Sequence, residues 1–174
     1  MPIVILPEER DPRLITERRG GTLTDEHHHL LAEWAGLCAE HVLEHFERVR
    51  PDAPAPREAI GAGRAWVRGE VRMSDARNAA FAANAAAGGL PDSARFAALA
   101  AGQAAAVPHV AAHDLGAAAY AIKAAMAAAL PDDAESARLR ERDWQRDQLP
   151  EDVRQLVIDD QRQRDDICWN VFRE

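Results

Sequence analysis

Apolar side chains recur at helical spacing along most of the chain. Between residues 30 and 49 they fall on one face of a predicted first helix. Thr24 and Asp25 are suitable N-caps for this helix, and Pro51 stops it. The same periodicity continues through residues 60–67, so the pattern is typical of an all-α protein.

Turn and cap residues divide the rest of the pattern into further helices. A second helix passes through residues 60–67, and a third runs from Ser74 to Gly88-Gly89. An alanine-rich stretch follows over 92–130, and Pro108 kinks or divides it. Asp132 and Asp133 cap the next helix, and the last helix has Pro150 at its first position and runs to about Phe172. Alanine favours helix and lets helix axes approach closely. We predict a compact bundle of about six or seven helices, forming a single domain over residues 25–174.

Residues 1–24 have a different pattern. Short apolar or mixed segments at 3–6 and 13–18 could be extended, with Pro7, Pro12 and Gly20-Gly21 as breaks. We expect a short arm or hairpin packed on the helices. Large side chains are few, and we expect them to mark the core: Trp34, Phe46, Trp66, Phe81, Phe96, Tyr120, Trp144 and Trp169.

Charge and composition narrow the classes of function. The net charge of −8 argues against a nucleic-acid partner, which clustered Lys and Arg would attract. The two cysteines form no disulfide framework or metal knuckle, and the apolar runs predict neither a membrane span nor a signal peptide, so we expect a cytoplasmic protein without a membrane partner. Residues 131–174 hold −5 of the charge, either as a solvated helical face or as an acidic surface for a basic partner.

Several histidines have spacings that merit attention. There is no P-loop, GxSxG or HExxH motif. His41/His45, with Cys38 one turn earlier, and His109/His113 have i,i+4 spacing that could place two imidazoles on one helix face. Since no completing ligand is evident, we favour packing or interface histidines and predict no metal and no cofactor. The run of histidines at 27–29 is expected to be exposed.

The last predicted helix carries an ion pair on its apolar stripe. The stripe from Val153 to Val171 passes through Asp160 and Arg164, which have the favourable acid-before-base order. A buried pair of this kind would join the helix to its neighbours, because an unpaired buried charge is costly. The alternative is a polar pocket that also includes Arg64, His109 and His113.

An ordered set of short motifs carries a family resemblance. The motifs lie at residues 34–43, 56–60, 64–70, 109–121 and 165–169. Together they resemble the immunity proteins of bacterial polymorphic toxin systems, in the all-α group called immunity family five-like, over about residues 13–172. Gln103 and Asn84 depart from this pattern, since relatives tend to have histidine at both places.

The resemblance implies a protein that binds and neutralises a cognate toxin and needs no catalytic residue. The net negative charge of this chain would attract a basic toxin. Two alternatives stay open: a small metal- or ligand-binding helical enzyme or sensor built around His109 and His113, and a structural interaction protein that forms a homo-oligomer.

Overall fold

The computed structural model describes residues 5–174. They contain eight α-helices and no β-strand, which confirms the all-α bundle. The helices are α1 Asp25–Val42, α2 Glu44–Glu47, α3 Ala55–Val67, α4 Met73–Ala86, α5 Asp92–Ala106, α6 His113–Ala128, α7 Ala134–Asp147 and α8 Glu151–Arg164. Since α2 is a single turn, seven longer helices make up the bundle.

Helix α5 is the centre of the bundle. It contacts α1, α2, α3, α4 and α6, while α6 also contacts α1, α7 and α8. Alanines fill the buried faces of α5 and α6, so the helices pack closely. Gly63 of α3 shows how closely: a Cβ there would lie 3.5 Å from the backbone oxygen of Ala104.

The first predicted helix is divided in two. Thr24 caps α1 as predicted, because its Oγ1 accepts a hydrogen bond from the His27 N–H at 3.2 Å. The helix ends at Val42 rather than near Pro51, since the N–H of Leu43 bonds to the carbonyl three residues back, at Glu40. Such a tightened turn breaks the α-helical ladder.

Two other predicted boundaries are wrong. Ser74 does not cap α4: the helix starts at Met73, and the Asp75 carboxylate accepts the N–H of Arg72 at 3.0 Å. The last helix ends at Arg164 rather than near Phe172. A 3₁₀ turn, Asp166–Cys168, follows it, and Trp169 and Asn170 then have positive φ angles of 57°, which the α-helix does not allow.

The N-terminal arm packs on the helices, but not as an extended strand over 13–18. It contains two 3₁₀ turns, Pro12–Leu14 and Glu17–Arg19, and one isolated bridge between Thr16 and Leu23. Gly20 ends the second turn with a φ of 91°. Ile5, Leu14 and Leu23 are buried in the core, and Leu6 packs against it. Residues 3 and 4 of the predicted 3–6 segment lie outside the described residues.

The predicted aromatic anchors divide into three groups. Trp34 and Phe46 are fully buried, and Phe96 and Tyr120 nearly so. Trp66, Trp144 and Trp169 are half-buried. Phe81 is 57% exposed, so its assignment to the core is wrong. Helix α4 packs through its small alanines instead, and the Arg77 guanidinium covers the Phe81 ring at 5.5 Å.

Candidate functional site

Asp160 and Arg164 form a buried ion pair on α8. They are only 2% and 3% exposed, as the apolar stripe predicted. The Arg164 Nε donates to Asp160 Oδ1 at 2.7 Å, and Nη2 donates to the other carboxylate oxygen. The contact is bidentate, the geometry that best offsets the cost of burying both charges.

The same guanidinium joins three parts of the fold. Arg164 Nη1 donates to the backbone oxygens of Ile5 and Ala112, at 3.1 Å each, and Nη2 donates to Ala112 at 3.0 Å. Ile5 belongs to the N-terminal arm, and Ala112 immediately precedes α6. Arg164 therefore holds the arm and the start of α6 against α8.

Asp114 completes this group, which we call the acid–arginine cluster (Asp114, Asp160 and Arg164). Its Oδ1 lies 3.7 Å from Arg164 Nη2 and accepts the N–H of Leu115 at 2.6 Å, while Oδ2 has no partner among residues 5–174. Burial, and next the charge of Asp160, raise the pKa of Asp114 to about 7. Sequence analysis missed Asp114, although it is the single charged residue between positions 96 and 122.

His113 lies at the first position of α6, beside this cluster. Its Nδ1 is 2.8 Å from Gln103 Oε1. Burial, with smaller effects from His109, Arg10 and Arg164, lowers the pKa of His113 to about 4, so the ring is neutral near pH 7. Gly116 makes room for the amide, because a Cβ there would lie 2.2 Å from Gln103 Oε1. Gln103, one of the two departures from the family pattern, is thus the partner of His113.

The other departure, Asn84, also contacts a glycine. A Cβ on Gly102 would lie 2.1 Å from Asn84 Oδ1, so the absence of a side chain at position 102 lets α4 and α5 meet there. Both departures therefore lie at close contacts of α5 with its neighbouring helices.

Neither of the two remaining candidates, Arg64 and His109, forms a hydrogen bond or ion pair with the cluster among residues 5–174. Arg64 on α3 pairs with Glu40 of α1 at 2.5 Å, and no hydrogen bond or ion pair within residues 5–174 joins it to the other candidates. His109 lies in the turn between α5 and α6. Because α6 begins only at His113, the two histidines do not share a helix face, and that part of the prediction is wrong.

The first histidine pair, His41 and His45, is not arranged like a set of metal ligands either. His41 Nδ1 lies 2.8 Å from Glu141, and its ring stacks on Trp144 with centroids 3.5 Å apart. Cys38, by contrast, is fully buried, and burial raises the pKa of its thiol. Over residues 5–174, no group of three or more His, Cys, Asp or Glu side chains is arranged to hold a metal ion.

The histidine run at 27–29 is not uniformly exposed. His28 is 5% exposed, and its Nε2 lies 2.8 Å from the backbone oxygen of Val107. Its ring also lies 4.8 Å from the ring of Trp66, as does that of His29. The prediction of exposure is wrong: α1 turns His28 toward α3 and the end of α5, and His27 and His29 are half-buried.

Three arginines on one face of α7 hold the C-terminal segment. Arg138 Nη1 donates to the backbone oxygens of Val171 and Arg173 at 2.9 and 2.8 Å. Arg142 also donates to Arg173 O, and Arg146 donates to Phe172 O at 2.9 Å. We call Arg138, Arg142 and Arg146 the arginine ladder. Their spacing of four residues is a sequence signal for a shared face of α7.

Burial of these groups changes the charge of the surface. Of the acids in residues 131–174, only Glu141 and Asp160 are buried, whereas Arg138, Arg142 and Arg164 are all buried. The remaining acidic side chains therefore outnumber the accessible arginines by more than the sequence alone shows. We call the accessible acids of residues 131–174 the acidic surface.

What each region can do follows from its accessibility. The acid–arginine cluster is sealed from solvent, so it cannot reach a substrate and acts on stability. The acidic surface is open to a partner. No helix among residues 5–174 has both the length and the apolar character needed to cross a membrane.

Comparison with known protein families places the chain in one of them. The sequence model of the family described as "Imm-5 like putative immunity protein" matches residues 21–152, about three quarters of the chain. The chain belongs to this family, which confirms the resemblance. The match spans α1 to α7 and ends at the start of α8, so Asp160 and Arg164 lie beyond it. No curated protein and no solved structure gave a significant match.

Proposed function

We propose that this protein is a cytoplasmic immunity protein that binds a cognate bacterial toxin and neutralises it without catalysis. The family match over residues 21–152 carries this proposal. The all-α scaffold is consistent with it, since an inhibitor needs a defined surface rather than reactive side chains. The sealed acid–arginine cluster gives that scaffold a fixed interior and offers no group to a substrate.

The acidic surface supports a basic toxin as the partner. Complementary charge accelerates association and adds specificity, and its effect falls as salt increases. Asp147, Glu151 and Asp152 lie together at the junction of α7 and α8 and are exposed. We infer that this junction is part of the contact with the toxin.

Co-expression with candidate toxins from the genes that neighbour this one tests the function. The proposal expects restored growth and a complex that survives size-exclusion chromatography. Toxicity that persists at full expression of a folded protein, with no complex, contradicts it. A triple variant, Asp147→Asn, Glu151→Gln and Asp152→Asn, should associate about tenfold more slowly at low salt. The matched control, Glu8→Gln with Glu9→Gln, neutralises exposed acids on the arm and should leave the rate unchanged.

A further inference from the structure

A groove of about 600 Å³ lies between the N-terminal arm and the helical body. One wall is formed by the arm, and the other by the start of α1, the end of α3 and the turn between α5 and α6. The volume is within the range of small-molecule sites, roughly 300–1,000 Å³. We call it the arginine groove, for the residues that line its arm side.

The arm wall is basic although the chain is acidic. Arg10, Arg18 and Arg19 line the groove together with a single acid, Asp25. Asp25 is already paired with Arg18 at 2.5 Å. Arg19 donates to the backbone oxygen of His109 at 3.3 Å, and neither Arg19 nor Arg10 has a carboxylate partner within residues 5–174. Two guanidinium groups thus face the groove without a counter-ion.

His109 adds an unused polar group to the same groove. Its Nδ1 is buried and has no hydrogen-bond partner in the part of the chain that the structure describes. Burial, and next the positive charges of Arg77, Arg19 and Arg10, lower the pKa of His109. The effect of these arginines on the imidazole indicates a positive potential in this part of the groove.

The opposite wall is largely apolar and held in place. Val110 is buried, and Trp66 and Met73 are half-buried along the groove. His28 and His29 pack on the Trp66 ring at 4.8 Å, which fixes that indole. A ligand that fits both walls has an apolar body and one charged end.

We propose that the arginine groove binds a small organic anion, whose carboxylate or phosphate contacts Arg10 and Arg19 and whose apolar body lies against Trp66 and Met73. Charge-assisted hydrogen bonds from guanidinium are the strong contacts for such groups. Most of the arm, including Arg10 and Arg19, lies outside the family match, which starts at residue 21. The proposal is independent of toxin binding.

Calorimetric titration of the full chain with four probes tests the site. Benzoate carries a carboxylate on a phenyl ring, and phenyl phosphate carries a phosphate on the same ring. Inorganic phosphate lacks the apolar body, and phenol lacks the charge. We expect saturable binding of benzoate or phenyl phosphate, at least about tenfold tighter than inorganic phosphate or phenol. The aromatic anion that binds more tightly identifies the group, carboxylate or phosphate, that the arginines recognise. Absence of saturable binding by both overturns the proposal.

Variants locate the binding in the groove. Arg10→Ala and Arg19→Ala should each weaken binding of the preferred anion about tenfold. Both residues are exposed, so the fold and its melting temperature should be unchanged. The control is Arg48→Ala, an arginine 71% exposed beyond the far end of α1, which should bind like the unmodified chain. Equal affinity in all three variants contradicts a site in the arginine groove.

Discussion

At the scale of single residues, Asp114 decides the charge state of the core. Three ionisable groups are buried together, but only one of them is cationic. Two ionised carboxylates beside one guanidinium would leave a net negative charge without solvent. The protein avoids this because Asp114 holds its proton to about pH 7, according to its raised pKa. Asp160 and Arg164 then form a neutral pair.

Replacing Asp160 with alanine should destabilise the fold strongly. The Arg164 guanidinium would lose its bidentate partner while still buried, so we expect a loss of about 3–5 kcal/mol in the free energy of unfolding. Replacement of both Asp160 and Arg164 by apolar residues should cost much less, since no charge is left without a partner. Urea unfolding measures both. A double variant less stable than Asp160→Ala would contradict this account of the pair.

Asp114 should make stability depend on pH in a defined direction. Its pKa rises from 3.8 to about 7 on folding, so the folded state binds the proton more tightly. Its contribution is therefore complete below pH 3.8 and is lost as the pH rises to about 7. His113 acts oppositely, because its pKa is lowered to about 4 and its contribution is lost as the pH falls.

The variant Asp114→Asn isolates that effect. Asp160, Arg164, His113 and the nearby thiol of Cys168 are present in both proteins, so their contributions largely cancel in the difference. The unfolding free energy of the unmodified protein minus that of Asp114→Asn should fall as the pH rises and level off above about pH 7. A difference that stays constant with pH would show that Asp114 does not titrate in this range.

Trp34 and Trp66 illustrate what sequence can say about a residue. Both lie on apolar helix faces. Trp34 is fully buried, and its Nε1 donates to the backbone oxygen of Gln145 at 2.8 Å. Trp66, by contrast, is half-buried beside the arginine groove. Periodicity gives the face of a helix, but not whether another element covers it.

Their alanine variants should therefore differ. Trp34→Ala leaves a large cavity and should cost about 3–5 kcal/mol of unfolding free energy. Trp66→Ala should cost clearly less, because part of the indole already contacts solvent. Thermal or urea unfolding compares the two. Equal losses would mean that the groove is closed over Trp66 in solution.

At the scale of elements, the helices were predictable and their ends were less so. Thr24 caps α1 as expected, because a cap depends on local sequence. The division of α1 at Leu43 and the positive φ angles at Trp169 and Asn170 have no comparable local signal. Tertiary packing sets these boundaries.

Only part of the acid–arginine cluster could be predicted from the sequence. The burial of Asp160 and Arg164 follows from the apolar stripe of a single helix, and this stripe is visible in the sequence. Their contact with Asp114, and the pairing of Arg64 with Glu40 instead, depend on how separate helices pack. The arginine groove likewise joins the arm to residues about a hundred positions away, which no spacing rule connects.

The arginine ladder predicts that the C-terminal segment depends on α7. Arg138→Ala should leave the backbone oxygen of Val171 without its donor and that of Arg173 with Arg142 alone, with a loss of about 2–3 kcal/mol of unfolding free energy. Arg140→Ala is the control, because Arg140 lies between ladder positions and is exposed. Urea unfolding of the two variants checks this, and an equal effect at both positions would contradict a specific role for the ladder.

At the scale of the whole molecule, the interior and the surface have separate tasks. The buried ion pairs and the alanine-packed helices fix one arrangement of the bundle. With Arg138, Arg142 and Arg164 taken inside, the surface of the C-terminal helices is more acidic than the composition shows. A fixed scaffold with a charged face is suited to an inhibitor that acts by binding.

If the protein neutralises its toxin by binding, the two must combine in a fixed molar ratio, and a titration measures that ratio. The purified protein is titrated into a fixed amount of its cognate toxin, and the residual toxin activity is measured. Binding predicts a linear fall that ends at a fixed molar equivalence, with full toxin activity recovered after the complex is separated under denaturing conditions and the toxin is refolded. Loss of activity at far below one equivalent, increasing with time and permanent after separation, would show catalysis and contradict the account.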